Sequence, residues 1–163
     1  AVLSAKNMDM LIRHKVFTEA EIRSRYEIMM ENYCKTVSIE AHTMVDMAKK
    51  EILPAIEAYT IELSDAVRAK KAADAGASCR YEEKRIRRLS ALLEQIDDAV
   101  DELESALVTL SMSADITAQA NFIRDEIIPK MSLVRVPADE AETLTAEKYW
   151  PFPTYGDLLF GVK

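Results

Sequence analysis

Glycine is nearly missing from this chain. Only three occur in 163 residues, and two of them, Gly156 and Gly161, lie in the last eight positions, which leaves Gly76 alone in the rest. Strand-rich folds turn often, and tight turns need glycine. A β fold is therefore excluded in favour of an all-α one, and glycine-rich phosphate loops are excluded on the same ground. Cysteine is scarce as well. Cys34 and Cys79 stand far apart and form no CxxC pair, which argues against zinc sites and disulfide frameworks. Two buried free thiols in a reducing cytoplasm are expected; a single bridge between them is the other reading. Histidine is limited to His14 and His42. No apolar run approaches the ~18–20 residues that cross a bilayer. The opening AVLSAKNMDM lacks the basic start and apolar stretch of a signal peptide, and without Met it reads as the start of a segment cut from a longer chain.

Apolar residues make up 49% of the chain, enough to build a core, and the length suits one domain. The net charge is −7. An acidic chain is repelled by nucleic acid and by anionic lipid, so neither is a favoured partner.

Helical patterning accounts for most of the sequence. Residues 5–14 read as a short helix with Met8, Leu11 and Ile12 on one side. Thr18-Glu19-Ala20-Glu21 matches a capping box, and Phe17 and Ile22 are the two ends of a hydrophobic staple. The helix opened there runs through Tyr33. Between 36 and 73, Ala41, Val45, Ala48, Ile52, Ala55 and Tyr59 are spaced 4, 3, 4, 3, 4, an a/d seam. Pro54 interrupts this seam without ending it, which predicts a kink. Gly76 breaks the chain, and Ser78 is placed to cap the next helix, 79–111. Its seam is Ile86, Leu89, Leu93, Ile96, Val100, Leu103, Leu107 and Leu110, opposite an acidic face with Glu94, Asp97, Asp98, Asp101, Glu102 and Glu104. Ser113 and Asp115 open a third long helix, 114–135, with Pro129 inside it. Glu51-Ile52-Leu53-Pro54 and Glu126-Ile127-Ile128-Pro129 echo each other. Pro137 fits the first position of a further helical segment. Short links predict antiparallel neighbours. The expected fold is all-α: an antiparallel bundle of three to four long helices over residues 1–148, in which helix 18–34 packs across one end. An irregular aromatic tail, 149–163, belongs to the same domain.

That tail, YWPFPTYGDLLFGVK, gathers Tyr149, Trp150, Phe152, Tyr155 and Phe160 within twelve residues. Each aromatic can bury ~150–250 Å², so together they offer about 750–1250 Å², more than the ~300–600 Å² of the largest apolar patch on a typical monomer. The tail therefore needs a surface. Two readings stay open: it packs back on its own bundle, or it docks on another domain or subunit. Pro151 and Pro153 lower the entropy lost on docking.

Candidate chemistry is thin. Di-metal bundles need Glu-x-x-His pairs, whereas Leu11 precedes His14 and Ile39 precedes His42 at that spacing. No metal site is expected. A Cys34–His42 pair spans eight residues, about 12 Å along a helix, and would share a side only on an unbroken helix. Arg80, Lys84, Arg85, Arg87 and Arg88 form a basic stretch. Glu82 and Glu83 interrupt it, and only Tyr81 could serve as a stacking platform, so it reads as a helix start that pairs with acidic neighbours. Arg23, Arg25 and Tyr26 read as surface groups, ion-paired with Glu27 or Glu31, or as a contact with a neighbouring domain. The eight methionines fit core filling better than a ligand box.

Two stretches carry a family resemblance. FTEAEIRSRYEIMMENYCKTVSIEA with AKKEILPAIEAY, and DEAETLTAEKYWPFPTYGDLLFGV, resemble the beginning and the end of the C-terminal helical region of type III glutamine synthetases. The resemblance implies a parent enzyme that joins ammonia to glutamate with ATP through a γ-glutamyl phosphate, needs Mg²⁺ or Mn²⁺, and assembles in stacked hexameric rings. It places the metal and ATP ligands in upstream catalytic domains. No position here matches those motifs, so no catalytic, cofactor or metal residue carries over. The implied partners are the upstream catalytic domains and neighbouring subunits, with a homo-oligomer of the segment itself also open. The alternative reading is a free-standing helical adaptor that binds a partner helix along its seam.

Overall fold

Thr18 opens the longest helical run. Its hydroxyl accepts from the Glu21 N–H at 3.3 Å and the Glu21 carboxylate accepts from the Thr18 N–H at 2.8 Å, so the capping box is formed as read. The computed structural model describes residues 2–113, 115–153 and 155–161, and of Tyr155 and Gly156 the backbone alone. Before the cap lies α1 (Ala5–Arg13), which packs on the start of α2 (Glu19–Met47). The turn between them is made at Lys15, whose φ is 54°. Ile22 is buried, and the Arg25 guanidinium sits 4.7 Å over the Phe17 ring.

α2 does not stop at Tyr33. It continues through Met47 into a π-helical turn, Ala48–Ile52, and on into α3 (Leu53–Ala73). The expected end-packed helix 18–34 is thus the first part of one rod. The physical reason is local. Nothing between Tyr33 and Val37 breaks a helix, and Cys34, Val37, Ala41 and Val45 form one buried row. From Glu19 to Ala73 the rod is about 80 Å long at 1.5 Å per residue.

Pro54 and Pro129 have the same setting. Each is the second residue of an α-helix that follows a five-residue π-helical turn, Ala48–Ile52 in one case and Ile123–Ile127 in the other. Proline lacks an N–H, and its ring presses on the carbonyl four residues back. A turn widened to i→i+5 moves that carbonyl away. The echo in sequence is therefore an echo in structure, and neither proline ends its rod.

The hairpin after α3 closes when the Asp74 carboxylate accepts from the Gly76 N–H at 2.8 Å. α4 (Arg80–Ser111) follows. Ser78 lies just before the cap position, which Cys79 holds without a side-chain bond to the helix's first N–H groups; its thiol points to the Val67 and Ala77 carbonyls instead. Asp115 caps the third rod, accepting from the Ala118 N–H at 2.9 Å. This rod comprises α5 (Ile116–Phe122), the second π turn, and α6 (Ile128–Leu144). Pro137 does not start a new helix; α6 runs through it. The ring is buried in a row with Val134, Ala138 and Ala141, and that burial offsets the backbone bond it cannot make.

α4 is the axis of the bundle, with α3 and α6 packed against it and α2 against α5. Two seams interleave on α4. Leu89, Ile96, Val100, Leu103, Leu107 and Leu110 are buried as expected, but so are Leu92, Ala99 and Ala106. A helix covered from two sides buries a wider stripe than an a/d seam. Leu92 therefore takes the fully buried place that the spacing gave to Leu93, while Leu93 and Ile86 are half-buried on the flank. Among the described residues there are no strands.

Candidate functional site

The tail begins with a turn locked onto α6. Thr145 is buried, and both its N–H and its hydroxyl donate to the Ala141 carbonyl at 2.8 Å. Arg85 of α4 donates to the Leu144 carbonyl. The chain then folds back on α3. The Tyr149 ring lies 5.7 Å from that of Tyr59, and its hydroxyl donates to Glu62 at 2.6 Å. Lys148 bonds the same carboxylate, and its ammonium sits 4.9 Å from the Tyr149 ring centre. The Lys148 and Tyr149 bonds hold the Glu62 carboxyl below the usual range. Glu62 in turn pushes the Tyr149 phenol up, and burial does the same to Tyr59.

Trp150 packs against the core, and Phe152 meets it edge-on at 6.2 Å and 76°. These two rings wall one end of a groove of about 490 Å³ between α2 and α6. Its apolar floor is Met44, Met47, Ile52, Met131 and Val134, with Ile39 on the lip. Core filling is the sequence expectation for the methionines, and Met44 and Met131 do pack against the core. With Met47 they are half-buried, as on surfaces that adapt to a partner. The available signal was the Met44–Met47 step, which lies off the Ala41–Val45–Ala48 seam.

Beyond Pro153 the chain forms a short helix, α7 (Tyr155–Phe160), so the tail is less irregular than expected. Gly161 follows because a Cβ there would stand 2.4 Å from the Asp157 carbonyl oxygen. Leu158, Leu159 and Phe160 are 68%, 72% and 80% exposed. The five tail aromatics thus separate: Tyr149, Trp150 and Phe152 lie on the bundle, Phe160 stands off it, and the Tyr155 side chain lies outside the described residues.

The remaining candidates have structural partners. Cys34 and His42 do share a side, lining a cavity of about 320 Å³ with Leu107 and Ile116. Burial pushes the Cys34 thiol up, away from the thiolate that a nucleophile needs. Cys34 and Cys79 are both buried free thiols. In the basic stretch, Arg88 pairs with Glu140 of α6 at 2.6 Å and Arg87 donates to the Glu83 carbonyl at 3.1 Å. Arg23 pairs with Glu19 at 2.8 Å, not with Glu27 or Glu31. Among the described residues no three His, Cys, Asp or Glu side chains are grouped to hold a metal ion. These residues do not group the donors that the divalent metal attached to the parent by the resemblance would need. No helix among these residues is long and apolar enough to cross a membrane.

Residues 1–71 match the model of the glutamine synthetase C-terminal domain family. The chain is 33% identical over 161 residues to a glutamine synthetase of Butyrivibrio fibrisolvens, an alignment that covers 99% of this chain and 23% of that protein. It is 26% identical over 161 residues to the type-3 glutamine synthetase of Dictyostelium discoideum, covering 96% and 22%. With a glutamine synthetase of Bacteroides fragilis the identity is 24% over 156 residues, covering 92% and 21%. The chain spans less than a quarter of the length of these curated relatives. These matches show the chain to be homologous to the C-terminal domain of glutamine synthetases, the type-3 enzymes among them.

Proposed function

We propose that this chain works as a non-catalytic C-terminal domain of a cytoplasmic glutamine synthetase. The parent joins ammonia to glutamate at the expense of ATP, with ATP and Mg²⁺ or Mn²⁺ held by catalytic domains outside this segment. The domain's role is assembly. Its bundle holds the root of the tail, and the end of the tail engages the catalytic body or a neighbouring subunit. One observation carries this reading: Tyr149 is fastened to Tyr59 and Glu62, while Leu158, Leu159 and Phe160 expose their apolar side chains a few residues later. A monomer gains nothing by wetting three large apolar groups in a row. The test is removal of 155–163 from the whole enzyme, read by sedimentation and by glutamine formation. Loss of assembled rings, with activity falling alongside, is expected; unchanged assembly and activity would end the reading.

A further inference from the structure

We infer that the groove between α2 and α6 receives helix α7 of a second copy of this chain, the two copies exchanging tails. The inference rests on the reading that the tail end docks outside its own bundle, and it names the surface that receives it. The groove has an apolar floor built from Met44, Met47, Ile52, Met131 and Val134, and its open volume is about 490 Å³. The chain also carries an exposed apolar helix that starts three residues after Phe152, a wall of this same groove. In its own chain α7 stays out: Leu158, Leu159 and Phe160 remain at 68–80% exposure. Pro151 and Pro153 flank Phe152, and short, stiff links of this kind favour exchange between copies over folding back.

Area decides between one partner and a pair. Leu158, Leu159 and Phe160 of one helix bring about 400 Å² of apolar surface, on the scale of side chains of that size, and the groove has less than half of that to lose on receiving them. One such contact buries about 600 Å², the scale of a packing contact. Two reciprocal contacts bury about 1,200 Å², the lower bound of a stable interface. A two-fold exchange supplies the second contact from the same surfaces.

The experiment is sedimentation of the full 163-residue chain with two variants at exposed positions, Phe160→Asp on the helix and Ile39→Asp on the groove lip. Far-UV circular dichroism checks that both keep their helix content. The wild type is expected to dimerise, and each variant to weaken the dimer by roughly tenfold or more. An equimolar mixture of the two is expected to regain a heterodimer, because one intact helix and one intact groove remain. A monomeric wild type, variants that dimerise like the wild type, or a mixture without rescue would each overturn the exchange. The same substitutions in the whole enzyme separate the two ideas. If Phe160→Asp breaks assembly and Ile39→Asp does not, the tail docks elsewhere, so the exchange fails and the assembly role stands. If neither acts, both fail.

Discussion

Tyr149 lies ring against ring with Tyr59, 5.7 Å between centroids, and donates its hydroxyl to Glu62 one turn further along α3. The ring contact and the hydroxyl bond can be separated. Trp150 is the only tryptophan and follows directly, so its fluorescence reports whether the tail root is seated. Tyr149→Phe keeps the ring and should leave the emission maximum in place. Tyr149→Ala should shift it to the red. Because Lys148 and Tyr149 hold the Glu62 carboxyl below its usual 4.5, the latch is complete from that pH up to the titration of the Tyr149 phenol. It loosens as pH falls through the lowered value, so on the acid side the wild-type emission should redden only below 4.5.

Leu92 and Leu93 are neighbours with different burdens. Leu92 is 0% exposed, and Leu93 is half-buried on the flank of α4. Leu92→Ala should cost about 2–5 kcal/mol in urea unfolding, the range for emptying a core site. Leu93→Ala should cost clearly less. Equal losses would mean that the single seam seen in the sequence describes the core better than the interleaved pair.

Pro54 and Pro129 are both exposed, so neither fills the core. Replacing each with Ala restores an N–H that can bond back into the rod while sacrificing no buried contact. We expect Pro54→Ala and Pro129→Ala each to stabilise the chain by about 1 kcal/mol, measured from denaturant midpoints. A loss of stability would mean that the packing requires the π turn itself.

Two ion pairs clasp the hairpin between α3 and α4, and they differ in burial. Lys70 meets Glu82 at 2.5 Å, and Glu82 is 7% exposed; Lys71 meets Glu83 at 3.0 Å with both partners open to solvent. Lys70 holds the Glu82 carboxyl below its ordinary 4.5. A lowered carboxyl adds stability that is fully present above the ordinary value and is lost as pH falls through the folded one. Lys70→Met should therefore lower the melting temperature above that pH and converge with the wild type in acid, which flattens the acid limb. Lys71→Met should barely change the profile, as is usual for exposed pairs.

The all-α fold was legible because glycine scarcity and 3/4 spacing are local properties of the chain. The capping box at Thr18 was legible for the same reason, since its atoms lie within four residues. Leu92 was not, because its burial depends on α3 and α6 both covering α4, which no period within α4 encodes. Pro137 misled because proline is at home in a first turn; only its burial beside Val134 and Ala138 shows how the helix carries it inside. In the tail, aromatic density announced a surface. It did not announce that Tyr149 would be latched while Phe160 stood free, because that division is set by where Glu62 and Tyr59 lie on a helix some ninety residues away.

The links between rods have a consequence for proteases. Neither 74–79 nor 112–115, the two hairpins that hold the bundle together, contains a lysine or arginine. Basic residues do occur outside the helices, at Lys15 between α1 and α2 and at Lys148 before the tail. Trypsin acting on the folded chain thus meets its first accessible bond at Lys15, because the bond after Lys148 is held by the Tyr149 latch. Brief digestion would trim away α1 and leave the three rods and the latched root of the tail joined as one resistant fragment.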